Sequence, residues 1–295
     1  MREFFAQRGV LEVETPLLSA STVTDPHIEA LALPEEDGPI RYLQTSPEYA
    51  MKRLLASGTG PIFQICKAFR AGEKGGRHNP EFTMLEWYRE GLDHHALMVE
   101  VEDLVRSYLD REPAVRLSYS DLFEEALGIN PHQLSDRALS ELALSRIDTS
   151  FRCADRGVWL NLLMTELVEP TLVERGLVFV YDYPAEQAAL ARLGKDFAGN
   201  TVAHRFELYV DGVELANGYY ELGDYEELNR RFEQDNLDRS ALGRPSRPVD
   251  DRLLAAMMHG LPSCSGVALG VDRLLMLERD ATSISEVLAF DWDRS

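Results

Sequence analysis

The sequence has few cysteines, few basic residues and no long apolar run. No stretch approaches the ~18 apolar residues of a membrane-spanning helix, and no signal-peptide pattern opens the chain. The cysteines Cys66, Cys153 and Cys264 are too scattered for a metal site, which favours a cytoplasmic protein with free thiols. The 30 basic residues are outnumbered by 50 acidic ones, for a net charge of −20. This balance disfavours extended nucleic-acid binding, which relies on Lys and Arg.

The chain also lacks a GxxxxGK[ST] motif and a regular strand–helix alternation, which argues against P-loop and Rossmann folds. Apolar runs predict strands at Ile40–Thr45, Ile62–Phe69, Phe82–Arg89, Val178–Tyr181 and Val202–Val210. Helical patterns cover the start of residues 1–17, residues 97–108 and residues 225–260, and a glycine turn feeds a helix within residues 266–277. We therefore expect one α+β domain over residues 1–295, with a largely antiparallel sheet flanked by helices and a mostly helical insertion around residues 112–176.

A hairpin is predicted around Asp211-Gly212, a pair that favours a type I′ turn. If the strands pair directly across this turn, Tyr209 faces Glu214, and Glu207 lies on the same face as Tyr209. Both carboxylates then point to one side, as ligands of one metal ion must. Solvent-facing glutamates are the alternative at this stage.

Three separated segments resemble the signature motifs of class II aminoacyl-tRNA synthetases. Arg2–Leu18 is similar to motif 1, a helix and strand that form the family's dimer interface. Phe69–Phe82 is similar to motif 2, and Gly266–Arg273 to motif 3. Each segment alone fits an ordinary loop or glycine turn, but three motifs in the right order cover nearly the whole chain. The resemblance implies the class II fold and a homodimer.

The resemblance also implies an ATP site. When a carboxylate attacks the α-phosphate of ATP, fixed guanidinium groups stabilise the charge on the phosphorus oxygens. Arg70 and Arg273 are the implied catalytic residues, at the α- and γ-phosphates, and Arg77 holds the outer phosphates. The other implied nucleotide contacts are Gly72, Glu73, Asn79, Phe82, Glu214, Leu215 and Gly270. The acidic residue usual two places after the motif 2 arginine is replaced by Gly72, and whether Glu73 substitutes stays open.

Further segments resemble the lysyl subgroup, whose substrate has two ammonium groups that carboxylates and a phenol can hold. The implied substrate contacts are Ser46, Pro47, Glu48, Glu86, Tyr88, Asn217, Glu221 and Ala268. The implied Mg²⁺ ligands are Glu207 and Glu214. Strand alternation puts Asn217 and Glu221 on the face opposite Glu214, so their convergence requires a bulge, which we expect near Gly218.

Two features depart from lysyl-tRNA synthetases. No anticodon-binding barrel precedes motif 1, and Ala268 stands where the synthetases have glycine. Both features, and residues 22–27, resemble the paralogues that modify elongation factor P. That resemblance implies activation of (R)-β-lysine as an adenylate and its transfer to a lysine of elongation factor P, with no tRNA. The alternatives are a truncated lysyl-tRNA synthetase and a non-catalytic synthetase-like binding protein.

Overall fold

The computed structural model describes residues 1–34, 38–149 and 155–295, so Cys153 lies outside the described residues. Within those residues the α-helices are Arg2–Ala6 (α1), Glu48–Ala56 (α2), His94–Arg106 (α3), Tyr119–Leu127 (α4), Asp136–Arg146 (α5), Arg156–Leu163 (α6), Tyr225–Ala241 (α7), Asp251–His259 (α8) and Val271–Glu278 (α9). A π-helical turn and a 3₁₀ turn extend α6 as far as Leu172.

The strands form a nine-stranded sheet and a small three-stranded sheet. They are Leu11–Glu12 (β1), Leu18–Ser19 (β2), Ala32–Leu33 (β3), Arg41–Leu43 (β4), Ile62–Phe69 (β5), Glu81–Glu90 (β6), Val115–Ser118 (β7), Leu177–Pro184 (β8), Leu193–Lys195 (β9), Thr201–Val210 (β10), Val213–Tyr220 (β11) and Cys264–Gly270 (β12). The large sheet runs β1-β5-β6-β12-β11-β10-β8-β7, with β9 beside β10. Among the strands of the described residues, only the outer pairs β1/β5 and β7/β8 are parallel. The predicted α+β class with a largely antiparallel sheet is confirmed.

The large sheet has two distinct faces because side chains alternate along each strand. Helix α3 packs its apolar stripe, including Leu97 and Val101, on one face against Trp87, Phe206 and Val267. We call this the reverse face. The residues that alternate with these along the strands, such as Glu86 and Ala268, point to the opposite face. We call it the front face, and it carries the cavity described below. Because the apolar reverse face is buried, the register of strand pairing is fixed. This register determines which side chains lie on the front face.

The predicted hairpin at Asp211-Gly212 is present, and a second hairpin joins β5 to β6. Strands β5 and β6 pair in antiparallel fashion on either side of residues 70–80. The β10–β11 turn has Asp211 at φ 48° and Gly212 at φ 76°, as a type I′ turn requires. Glycine adopts this backbone freely and aspartate tolerates it, so two local residues determine the return strand.

Three elements of the structure differ in detail from their predictions. The first helix ends at Ala6, because Gly9 at φ 66° turns the chain into β1. Residues 225–260 form two helices separated by residues 242–250, which contain Pro245 and Pro248. The described residues of the segment 112–176 first contribute the edge strand β7 and then α4, α5 and α6.

Candidate active site

The front face forms the floor of a cavity of about 370 Å³. Glu86 pairs with Ala268, Ala268 with Asn217, and Asn217 with Glu207, so one row of side chains crosses β6, β12, β11 and β10. Neighbouring strands lie about 4.8 Å apart, which places these residues side by side. The sheet therefore brings together residues that are about 180 positions apart in the chain.

The β10–β11 register decides which residues of β11 reach this row. Tyr209 pairs with Glu214 as predicted, but Leu208 pairs with Ala216, so Leu215 is an extra residue in β11. This bulge reverses the alternation and turns Asn217 to the same face as Glu214. The predicted irregularity is confirmed, but its predicted position near Gly218 is wrong, because the bulge falls three residues earlier.

Three carboxylates converge at one end of the cavity, which we call the acidic end. Glu48, Glu86 and Glu221 line it together with Tyr88. The Lys52 Nζ lies 2.6 Å from both Glu48 Oε1 and Glu221 Oε2, and the Tyr88 hydroxyl donates to Glu86 Oε1 at 2.7 Å. Lys52 was missed by the sequence reasoning. Its four-residue spacing from Glu48 on α2 was the available signal.

These carboxylates are difficult to ionise together. Burial and the charge of Glu48 raise the pKa of Glu86 to about 8. Burial also raises the pKa of Glu221 to about 7, even though the Lys52 ammonium opposes the shift. Burial lowers the pKa of Lys52 less than the two carboxylates raise it, so the ammonium stays charged. Additional cations in this end would therefore stabilise the ionised carboxylates.

Gly266 of motif 3 makes room for the acidic end. A Cβ at this position would lie 2.3 Å from Tyr88 Cε1 and 2.6 Å from Glu221 Oε1. Gly270, the second motif glycine, has only ordinary contacts, at 3.6 Å from the Arg273 side chain. The absence of a side chain at Gly266 therefore leaves room for Tyr88 and Glu221 at the acidic end of the cavity.

The opposite end of the cavity, the basic end, contains Arg70, Arg77, His78 and Arg273. Arg77 Nη1 donates to the Gly212 carbonyl oxygen at 3.0 Å. Arg273 Nη1 donates to the carbonyl oxygen of Glu214 at 2.7 Å and lies 3.4 Å from its Oε2. Main-chain carbonyls of the hairpin thus position two of the three guanidinium groups.

His78 pairs with Arg273, a partner that the sequence did not indicate. The Arg273 Nη2 lies 2.6 Å from His78 Nε2. Burial and the Arg273 charge lower the pKa of His78, so its ring is neutral near pH 7. A guanidinium group only donates hydrogen bonds, so the His78 Nε2 accepts this one. His78 therefore orients Arg273 within the cavity.

Arg70 lies beside the two residues expected near it. Its Cζ is 5.2 Å from the centre of the Phe82 ring, and its Nη1 is 3.8 Å from Glu73 Oε2. Glu73 lines the cavity, whereas Gly72 lies outside its wall and has φ 80°. The backbone at Gly72 thus turns the chain so that Glu73, one residue later, occupies the place beside the arginine.

Most of the predicted site residues line the cavity. Those that do so are Ser46, Glu48, Arg70, Glu73, Arg77, Asn79, Phe82, Glu86, Tyr88, Glu214, Leu215, Asn217, Glu221, Ala268, Gly270 and Arg273. Pro47 lies outside its wall, at the N-cap of α2. The amide of Asn79 is already engaged, because its Oδ1 accepts from the Trp292 N–H at 2.9 Å.

Glu207 also lies outside the cavity wall, although it shares the face of Glu214. Its Oε2 accepts hydrogen bonds from the Tyr183 and Tyr209 hydroxyls, each at 2.6 Å. Its Oε1 accepts from Arg205. Arg205, which the sequence reasoning missed, also donates to Asn217 Oδ1 at 3.2 Å. Glu207 thus anchors a hydrogen-bond network under the cavity floor.

None of the helices in the described part of the chain has both the length and the apolar character needed to cross a membrane. The thiols of Cys66 and Cys264 are free.

Comparison with known proteins agrees with this geometry. The family model for class II tRNA synthetases (D, K and N) matches residues 1–294. The elongation factor P–(R)-beta-lysine ligase of Salmonella gallinarum is 49% identical over 303 residues, which cover 100% of this chain and 92% of that protein. The protein of the same name from Salmonella paratyphi B is 50% identical over 305 residues, with the same coverage. The chain therefore belongs to the class II tRNA synthetase family of the D, K and N enzymes.

Proposed function

We propose that this chain is an ATP-dependent ligase that activates (R)-β-lysine as an adenylate and transfers it to a lysine side chain of elongation factor P. The observation that carries this proposal is the pairing of an acidic end and a basic end in one cavity. Relatives about 50% identical over the whole chain bear the name elongation factor P–(R)-beta-lysine ligase.

The charge of the acidic end suits a diamine. Glu48, Glu86 and Glu221 supply three carboxylates against the single ammonium of Lys52. When all three are ionised, two negative charges remain, which equals the charge of two substrate ammonium groups. Ion pairs in a buried pocket are strong only when every charge has a partner, so a substrate with one amine would leave a carboxylate unpaired.

The basic end suits phosphoryl transfer. The substrate carboxylate oxygen forms a bond to the α-phosphorus of ATP while the bond to pyrophosphate breaks, and negative charge accumulates on the phosphorus oxygens. Arg70, Arg77 and Arg273 are positioned to stabilise that charge. Phe82, whose ring lies beside Arg70, is available to stack on the adenine.

The second half-reaction needs no covalent enzyme nucleophile. The ε-amine nitrogen of the acceptor lysine attacks the acyl carbon of the adenylate, AMP leaves with the bonding electron pair, and the amine loses a proton. Holding the adenylate in one orientation provides most of the required acceleration. The fixed arginines of the basic end stabilise the departing AMP phosphate.

Mg²⁺ is expected with ATP, and the carboxylates at the hairpin fit it to different degrees. Half-buried Glu214 lines the cavity, and burial and the charge of Glu207 raise its pKa, so a cation would stabilise its ionised form. Glu207 already accepts three hydrogen bonds. We propose Glu214 as the main ligand, with Glu207 joining when Arg205 releases it.

We also propose a homodimer formed through the first eighteen residues. Leu11, Leu17 and Leu18 are 55%, 40% and 43% exposed, which is high for large apolar side chains. Light scattering should give twice the mass of the chain, and Leu11→Glu with Leu18→Glu should return it to the monomer mass. A cytoplasmic location follows from the translation factor as acceptor.

Two assays test the function. Pyrophosphate exchange with (R)-β-lysine should exceed exchange with α-lysine, and intact-mass measurement should detect one acyl group on elongation factor P. Absence of exchange with either isomer would favour a non-catalytic binding protein. Acylation of tRNA but not of elongation factor P would favour a lysyl-tRNA synthetase. The net charge of −20 supports the protein acceptor over an extended polyanion.

A further inference from the structure

A second group of chemically active side chains lies on the reverse face of the sheet, away from the cavity. His94, Asp182 and His204 each direct one nitrogen or oxygen to a common region, and these three atoms lie within 4.8 Å of one another. We call this group the HDH cluster. His94 is the first residue of α3, Asp182 belongs to β8 and His204 to β10. Three elements distant in the chain therefore meet at one point.

An irregularity in strand pairing creates the cluster. Tyr183 pairs with Ala203 and Tyr181 pairs with Phe206, so two residues of β10 oppose Asp182 alone. Asp182 has φ 56°, a left-handed backbone that non-glycine residues rarely adopt. Bulges of this type redirect side chains and recur beside functional sites. Here the bulge turns Asp182 towards the two imidazoles.

The polar atoms of the cluster lack hydrogen-bond partners within the described structure. His94 is only 3% exposed, yet neither of its ring nitrogens is hydrogen-bonded. The same holds for His204 Nδ1 and Asp182 Oδ1. A buried polar atom without a partner is costly, so three such atoms directed to one region call for a ligand that satisfies them together.

Space for the cluster is built into the neighbouring strand β9. A Cβ at Gly194 would lie 1.9 Å from His204 Nε2, so only glycine leaves room for this ring. With Nε2 against the backbone of Gly194, the Nδ1 of His204 is directed to Asp182. The orientation of the imidazole is therefore fixed by packing and not by a hydrogen bond.

The two distances from the imidazoles to Asp182 fit the coordination of zinc. His94 Nε2 and His204 Nδ1 lie 3.3 Å and 3.5 Å from Asp182 Oδ1. Zinc binds imidazole nitrogen and carboxylate oxygen at about 2.0–2.1 Å with tetrahedral angles, which separates neighbouring ligand atoms by about 3.3–3.4 Å. These two separations are thus close to tetrahedron edges, and all three ligand atoms lie within 4.8 Å of one another.

We propose that the HDH cluster binds one Zn²⁺ ion through His94, Asp182 and His204, with water as the fourth ligand. Two imidazoles and one carboxylate suit a borderline divalent transition metal, whereas Mg²⁺ prefers oxygen ligands only.

The ion would join α3 to the sheet. His94 begins α3, whose N-cap Asp93 accepts a hydrogen bond from the Ala96 N–H at 2.8 Å. A bridge from His94 to β8 and β10 would hold this helix end on the reverse face. We therefore assign the site a structural role, distinct from the Mg²⁺ that accompanies ATP in the cavity. Metal bound only by the folded chain stabilises it by mass action.

The test is zinc binding to chelator-treated full-length protein, measured by isothermal titration calorimetry and by elemental analysis after desalting. We expect one Zn²⁺ per chain, a higher melting temperature with zinc, and no displacement by excess Mg²⁺. Co²⁺ should give the visible absorption of a tetrahedral complex. Asp182→Asn and His94→Gln should each weaken zinc binding at least 100-fold, since even outer-shell partners contribute about 10–100-fold.

The matched control is His27→Gln, because His27 is an exposed histidine outside the cluster. It should bind zinc like the parent chain. Asp182→Asn is the decisive variant if His94→Gln does not fold, since asparagine tolerates the left-handed backbone. Its pyrophosphate exchange in the absence of zinc should match that of zinc-free parent protein. Absence of stoichiometric zinc in the parent, or equal zinc binding by Asp182→Asn, would overturn the assignment.

Discussion

The two ends of the cavity differ in exposure and in how their charges are neutralised. The acidic end is closed, and Lys52 neutralises part of its charge. The basic end is more open, and its cations contact mainly neutral groups, such as carbonyl oxygens and His78. Lys52 and Glu221, at the acidic end, have side chains 3% and 1% exposed. At the basic end Arg70 and Arg273 are 27% and 19% exposed. The difference fits the proposed ligands, since a small diamine would be recognised in full while a triphosphate would have to enter and pyrophosphate to leave.

The largest expected effect is at the basic end. Arg273→Ala and Arg70→Ala should each lower the rate of pyrophosphate exchange by about 10³-fold, because a fixed charge that stabilises the transition state is removed. Circular dichroism should show an intact fold. Arg137→Ala is a suitable control, since its side chain is 88% exposed and pairs with Glu141 on the same helix. Near-normal exchange in the Arg273 variant would refute its catalytic role.

The two glycines of motif 3 provide a paired test of the difference between the ends. Gly266→Ala forces its Cβ to within 2.3 Å of the Tyr88 ring, and we expect the KM for β-lysine to rise about 100-fold. Gly270→Ala meets only contacts of 3.6 Å and should leave that KM within about threefold. Equal effects of the two substitutions would contradict the assignment of Gly266 to the acidic end.

Lys52 tests whether the acidic end depends on its internal cation. Lys52→Met keeps the length of the side chain but leaves Glu48 and Glu221 without their partner. Breaking a buried ion pair costs about 3–5 kcal/mol, and we expect a loss in that range in the free energy of unfolding from urea titration. Protonation of Glu221 would reduce the loss, so it should be smaller at pH 6 than at pH 8. A loss below about 1 kcal/mol would show that Lys52 is dispensable.

The pH dependence should also differ between the ends. With a pKa of about 8, Glu86 is mostly protonated at pH 6, so the KM for β-lysine should fall by up to about tenfold per unit as pH rises towards 8. The KM for ATP should change less. Glu86→Gln should remove most of the dependence above pH 7. A flat profile in the parent enzyme would contradict the shifted pKa.

The same shift has a consequence for stability. The folded chain holds the Glu86 proton up to about pH 8, whereas the unfolded chain releases it near its ordinary pKa of about 4.3. Between these values the folded state binds more protons, so this group's contribution to stability decreases as pH rises. Bound diamine should reverse part of that decrease.

The smallest expected effect concerns the choice of isomer. Ala268 lies in the floor row between Glu86 and Asn217, and its methyl group limits where a substrate amine and carboxylate can lie. Ala268→Gly should improve exchange with α-lysine relative to β-lysine by about tenfold, the lower end of the range that one methyl group can discriminate. An unchanged ratio of kcat/KM for the two isomers would show that another residue makes the distinction.

The sequence predicted the parts of the site that depend on local chemistry or motif order. Asp211 and Gly212 determined the hairpin because both accept a positive φ. Two of the three motifs contain the arginines that the structure places at the basic end, and the segments that resemble the lysyl subgroup contain the carboxylates at the acidic end. The requirement that Asn217 and Glu214 converge even predicted a bulge, although strand alternation could not locate it at Leu215.

What remained hidden were the partners of charged side chains. Lys52 pairs with Glu221, Arg273 contacts His78, and His94 lies near His204. In each case more than one hundred residues separate the two partners in the chain. The sequence by itself determined the fold class, the hairpin turn and the residue types of the cavity, because these depend on local propensity and ordered motifs. Only the tertiary structure decided which charge neutralises which, because that depends on sheet register and bulges set by packing of the reverse face.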